Sequence, residues 1–139
     1  MKLIVDANIV ISAILKDSRT RKLLLNDALI LYAPLFLKEE VMKYKSYLAE
    51  KTGTTEYEIE RFAEELFKLA NIEFVDAGML TAYIKIAKRI SPDPKDALYI
   101  ALAIFEGCSI WSNDRPLREG QNLVQIMTTN QLYGAVQAI

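Results

Sequence analysis

Four short runs of branched or aromatic apolar residues, 2–5, 29–33, 72–75 and 109–111, are separated by stretches long enough to hold helices. Each run is too short and too apolar for a surface helix and reads as a buried strand. A strand that meets the next one only after a helix returns parallel to it, and a parallel sheet needs cover on both faces. The alternation therefore predicts an α/β fold: a three-layer α/β/α sandwich around a central, mostly parallel sheet of four to five strands. Residues 123–127 are the candidate fifth strand, followed by a terminal helix from about residue 129. With 139 residues, about half of them apolar, one domain spanning 1–139 is expected.

Between the strands, helices are predicted over 9–15, 21–26, 37–49, 55–70, 79–90 and 95–106. Asp17, Ser18, Arg19 and Thr20 read as a break after the first of these, Pro34 punctuates the second strand, and residues 51–54 read as a loop. Thr55 and Glu58 have the spacing of a capping box, and Ile59, Phe62, Ala63, Leu66 and Phe67 form one apolar stripe behind it. Ser91, Pro92, Asp93 and Pro94 interrupt the chain again; Asp93 is placed to cap the next helix with Pro94 in its first turn. The longest apolar stretch, 97–105, is too short to span a bilayer, and the first residues lack the length of a signal peptide. A soluble, cytoplasmic protein with no membrane association is expected. The one cysteine, Cys108, can form neither an internal disulfide nor a structural zinc site.

The chain has no histidine. Ser-His-Asp and Cys-His nucleophilic arrangements are thereby excluded, as are zinc sites built on imidazole. Any catalysis falls to carboxylates. A net charge of −1 and a pI of about 5.5 show no basic footprint for nucleic acid, although carboxylates gathered to hold cations lower the pI themselves.

In open parallel sheets ligands bind beyond the carboxyl ends of the strands, where strand order reverses. Asp6 ends the first predicted strand and Asp114 follows the fourth. Asp96 falls in the first turn of the helix that leads into the fourth strand, so it points back toward the same edge. Glu40, near the start of the helix after the second strand, can reach that edge if its strand is parallel to the first. Each acid has an ordinary reading: a turn residue for Asp6 and Asp114, a helix cap for Asp93, a dipole partner for Asp96. Together they say more. Converging carboxylates repel one another and raise each other's pKa, and a hard divalent cation such as Mg²⁺ or Mn²⁺ relieves that strain through oxygen ligation. The chemistry that follows most readily is phosphodiester hydrolysis by metal-activated water.

Leu-Ile-Val-Asp-Ala-Asn-Ile-Val-Ile-Ser-Ala at residues 3–13, the Glu40-Val41 pair, Asp-Pro-Lys-Asp-Ala-Leu-Tyr-Ile-Ala-Leu-Ala at 93–103 and Trp-Ser-Asn-Asp-Arg-Pro-Leu at 111–117 together resemble a PIN domain over essentially the whole chain. The resemblance assigns Asp6, Glu40, Asp96 and Asp114 to an acidic quartet that is both catalytic and metal-binding, with Asn8 and Ser112 as supporting polar positions and Asp93 as an accessory acid. Between Glu39 and Glu40 it favours Glu40, which is followed directly by an aliphatic residue. It implies a Mg²⁺- or Mn²⁺-dependent ribonuclease acting on RNA, the toxin half of a toxin-antitoxin pair with an antitoxin protein as partner, and a homodimer. Cations near the expected mouth are Arg19, Arg21, Lys22, Lys38, Lys43, Lys45, Arg115 and Arg118; Arg115, beside Asp114, is the first candidate for a phosphate. Two other readings compete. One is a non-catalytic RNA- or protein-binding module on the same fold. The other is an aspartyl-nucleophile domain centred on Asp6, disfavoured by Asn8 where a second aspartate is needed.

Overall fold

The computed structural model describes residues 1–15 and 18–138. Five strands form one all-parallel sheet in the order β3-β2-β1-β4-β5. These are β1 (Lys2–Val5), β2 (Ile30–Pro34), β3 (Glu73–Val75), β4 (Ser109–Trp111) and β5 (Ile126–Met127). β1 lies at the centre, with Leu3 opposite Leu31 on one side and Ser109 on the other. Its Leu3, Ile4 and Val5 are all buried, which is why β1 is a continuous apolar run instead of an alternating one.

From β1 the chain moves through α1 (Ala7–Ile14) and α2 (Ser18–Leu24) to β2, then through α3 (Phe36–Lys43), α4 (Lys45–Thr52) and α5 (Glu56–Leu69) to β3. It then reverses. A short 3-10 turn (Ala77–Leu80), α6 (Thr81–Ile90), a second 3-10 turn (Pro94–Asp96) and α7 (Ala97–Glu106) carry it back past β2 and β1 to β4. Right-handed crossovers put the helices before and after the reversal on opposite faces of the sheet, and α1 packs on α3 and α5 while α6 packs on α7. α8 (Arg115–Glu119) joins β4 to β5, and α9 (Thr129–Gln137) closes the described chain. The point where strand order reverses is the seam between β1 and β4. Leu3, Ile4, Ile100, Leu102, Ile110 and Trp111 are fully buried around it. No helix among the described residues is long and apolar enough to cross a membrane.

The sheet has five strands, all parallel, within the four to five expected. Several boundaries differ, each for a local reason. The helix predicted over 37–49 is two helices, broken at Tyr44, whose φ of −99° and ψ of 9° leave the helical region. The buried residues Leu37, Val41 and Leu48 stay in helical phase across the bend, so periodicity does not reveal it. Of the predicted break, Asp17 lies outside the described residues, while Ser18, Arg19 and Thr20 form the first turn of α2 and Thr20 is fully buried. The fifth strand shortens from five residues to two. Gln121 accepts from the Leu123 and Val124 N–H groups and donates to the Val124 carbonyl, so residues 121–124 form a side-chain-closed loop.

Thr55 accepts from the Glu58 N–H as the spacing at α5 predicts. A reciprocal capping box forms at α9, between Thr128 and Gln131. Asp93 caps as expected, accepting from the Lys95 N–H at 3.0 Å, but it caps the 3-10 turn that leads into α7. Gly107 ends α7 at φ 66°, a left-handed position that suits a residue without a Cβ.

Candidate active site

Two residues that directly follow adjacent strands begin the site. The Asp6 N–H donates to the Trp111 carbonyl at 3.1 Å, and the Ser112 N–H donates to the Met127 carbonyl at 3.0 Å, so backbone pairing continues one residue beyond β1 and β4. This sets the two side chains next to each other. The Ser112 hydroxyl, fully buried, donates to Asp6 Oδ2 at 2.6 Å and accepts from the Asp114 N–H at 3.0 Å. One hydroxyl thus fixes one carboxylate and the backbone that carries a second.

The other acids arrive from the two helical layers. Asp96 closes the 3-10 turn in front of α7 and makes no capping bond with its side chain. Glu40 comes from α3, one turn before its end; Glu39 beside it is exposed to solvent. Tyr99, in the first turn of α7 and only 3% exposed, donates its hydroxyl to Glu40 Oε1. A cavity of about 160 Å³ is lined by Asp6, Glu40, Asp93, Asp96 and Asp114 together with Ala7, Asn8, Ile11, Tyr44, Lys95 and Tyr99. The four acids of the expected quartet therefore share one cavity at the carboxyl edge of the sheet, at the seam where strand order reverses.

Their electrostatics follow from burial and crowding. Burial pushes the Asp6 carboxyl above its ordinary range, with Asp114 adding repulsion, while Ser112 and the Asn8 N–H pull it back. Burial raises Glu40 as well, and Asp6 repels it; the Tyr99 hydroxyl, Lys43 and Lys95 oppose the rise. Asp96 is raised from 3.8 to about 6, first by burial and then by Asp114, Asp6, Asp93 and Glu40. All the charge–charge contributions on Asp96 have one sign. Such a cluster holds unbalanced negative charge that a cation would relieve.

Asn8 and Asp93 line the cavity from exposed positions, and Ser112 supports it from beneath. Arg115 is not among the lining residues. It is the first residue of α8, and its side chain runs along that helix, where Nε–H donates to Glu119 at 2.9 Å on the exposed surface. Other expected cations are also engaged elsewhere: Arg21 donates to the Ala13 carbonyl, Arg19 to Asn130, and Lys45 pairs with Glu60. Among the described residues, Lys95 is the basic one that lines the cavity. Sequence reasoning passed over Lys95, Tyr44 and Tyr99. Lys95 lies between two acids of the Asp-Pro-Lys-Asp motif, a signal that could have found it, whereas Tyr99 read as a packing residue of an apolar helix.

Fold and site together define an α/β protein with an acid-lined cavity at the switch point of a parallel sheet. The family model for the PIN domain matches residues 4–132, and the chain belongs to the PIN-domain family. Comparison with curated proteins gave no significant match. PIN domains are generally nucleases that bind RNA and use divalent metal ions.

The donor set fits such an ion in its chemistry, being all oxygen, partly desolvated and mutually repelling. Among the described residues no three acids stand close enough to form a ready-made cage.

Proposed function

We propose that this chain is a Mg²⁺- or Mn²⁺-dependent endoribonuclease that hydrolyses RNA phosphodiester bonds at the carboxylate cavity. The observation that carries the reading is the convergence of Asp6, Glu40, Asp96 and Asp114 on that single cavity. The four come from distant parts of the chain, and burial with mutual repulsion raises the Asp96 carboxyl to about 6. A fold that gathered these acids for no ligand would carry the repulsion without benefit.

A divalent ion held there would lower the pKa of a bound water and offset the negative charge that develops on the phosphate and the leaving oxygen. Asp6, Glu40, Asp96 and Asp114 are the residues that would hold it, with Asn8 and Asp93 at the rim. Ser112 orients Asp6 by donating to Oδ2. Lys95 is the cation best placed to meet a substrate phosphate, a role that supplements the earlier expectation for Arg115. A single domain over residues 1–139, a homodimer, a cytoplasmic location and a toxin's role beside an antitoxin protein are finer parts of the same proposal, and they rest on the family.

The test is cleavage of a mixed single-stranded RNA panel by wild type and Asp96→Asn, with Mg²⁺, Mn²⁺ or EDTA. Metal-dependent cleavage that the variant loses supports the reading. No cleavage by folded wild type with either metal shifts weight to a non-catalytic RNA- or protein-binding module. That second reading is favoured by one observation, the lack of a ready-made three-acid cage among the described residues.

A further inference from the structure

Two acids in the cavity have one carboxylate oxygen held by a hydroxyl from another element. Ser112 holds Asp6 Oδ2, and Tyr99 holds Glu40 Oε1 across a sequence separation of 59 residues. The second bond ties α7 to α3, elements on opposite faces of the sheet, over its carboxyl edge. The Tyr99 ring is buried among apolar neighbours, yet its one polar atom is spent on an acid that lines the cavity.

A hydroxyl is well suited to this task. A lysine or arginine at the same place would orient Glu40 too, but it would also cancel the negative charge that attracts a cation. A neutral donor fixes the carboxylate and leaves its charge available. Hydrogen bonding to ligating carboxylates of this sort typically changes metal affinity about 10–100-fold.

We infer that Tyr99 is a positioning residue for the divalent ion, acting through Glu40: it holds Oε1 so that Oε2 is presented to the cavity. This rests on the metal-dependent reading proposed above. Tyr99 makes no contact with the ion in this scheme and takes no part in proton transfer.

Tyr99→Phe removes the donor and keeps the buried ring. Calorimetric titration with Mn²⁺ is expected to show roughly 10-fold or greater weakening. RNA cleavage should fall at low Mn²⁺ and recover toward the wild-type rate as Mn²⁺ is raised, because the loss is in holding the ion. A merely structural role would instead depress cleavage equally at all Mn²⁺ concentrations.

In a Glu40→Gln background the same substitution should weaken Mn²⁺ binding no further, and an additive loss there overturns the inference. So does a Tyr99→Phe protein with wild-type Mn²⁺ affinity while wild type still cleaves; that result leaves the nuclease reading standing. Wild type that binds no Mn²⁺ overturns both. Should Tyr99→Phe fold poorly, fluorotyrosine at position 99 keeps the hydroxyl, and its fluorine resonance should shift on Mg²⁺ titration. A resonance indifferent to Mg²⁺ overturns the inference.

Discussion

Replacing Asp96 by Asn should stabilise the metal-free protein. The carboxyl is raised from 3.8 to about 6, which at 1.36 kcal/mol per pH unit amounts to about 3 kcal/mol against folding once the group is charged. Asp96 is half-buried, and solvent screening reduces this to about 1–1.5 kcal/mol. Its side chain makes no capping bond, so the amide loses no such bond and the relief should appear undiminished. For a chain of this size the gain corresponds to roughly 3–5 °C in Tm.

The pH dependence has a definite sign. Between about pH 4 and 6 the folded state holds the proton more tightly than the unfolded state, so wild-type stability falls as pH rises through that window and levels off above it. The advantage of Asp96→Asn over wild type is therefore largest at pH 8 in EDTA and vanishes near pH 4. Adding Mg²⁺ should reverse the order, since a ligand at a hundredfold excess over Kd adds about 2.7 kcal/mol to the form that binds it, more than the repulsion removed. Thermal and urea unfolding across pH, with EDTA or Mg²⁺, checks all three points. A variant less stable than wild type in EDTA at pH 8, or a difference that ignores pH, would refute the electrostatic reasoning.

Asp6→Asn is expected to abolish RNA cleavage while circular dichroism and the unfolding transition show an intact fold. Glu40→Gln should do the same and Glu39→Gln should cleave as wild type, because Glu40 lines the cavity and Glu39 is exposed. Lys95→Ala should weaken binding of an RNA oligonucleotide and flatten its salt dependence by about one phosphate contact; Arg115→Ala is the companion variant, and unchanged affinity across a salt series would remove Arg115 as a phosphate contact. Gly120→Ala should destabilise by about 1–3 kcal/mol in urea unfolding: a Cβ there would lie 2.6 Å from the Pro116 carbonyl oxygen and 2.7 Å from the Pro92 ring. The same substitution pushes the Pro92 loop, which leads to Asp93 and Asp96, away from the helix headed by Asp114, so metal-dependent cleavage should fall as well.

Much of the fold is legible in the sequence because buried parallel strands and apolar helices leave unmixed signals. β1 and β4 were readable to the residue, since branched apolar runs end sharply at Asp6 and Ser112. The bend at Tyr44 was not, because periodicity records which face is buried and is blind to a change of axis that preserves phase. α8 was hidden for a different reason. Five residues opening with Arg115 and Pro116 hold too few positions for any period to show, and a turn has the same composition. The shortened β5 depends on Gln121 closing its own loop, a side-chain choice that a run of apolar residues cannot announce.

The acids of the candidate site were legible for a topological reason: residues that end strands, or begin the helices before them, converge wherever the sheet reverses. What holds them in place was legible only for Ser112, and there only through the family resemblance. The bonds that fix Asp6 and Glu40 span 106 and 59 residues, and nothing local to Ser112 or Tyr99 marks either as a donor. Tyr99 is the sharper case, since helical spacing alone favours burial of its ring, and burial says nothing about where the hydroxyl goes. A buried hydroxyl must find a partner or cost about 1–3 kcal/mol. In a helix that begins beside Asp96, at the edge where the acids gather, the available partner is a carboxylate. A tyrosine at a core position next to a converging acid cluster is therefore a stronger sign of a supported ligand site than its hydrophobicity suggests.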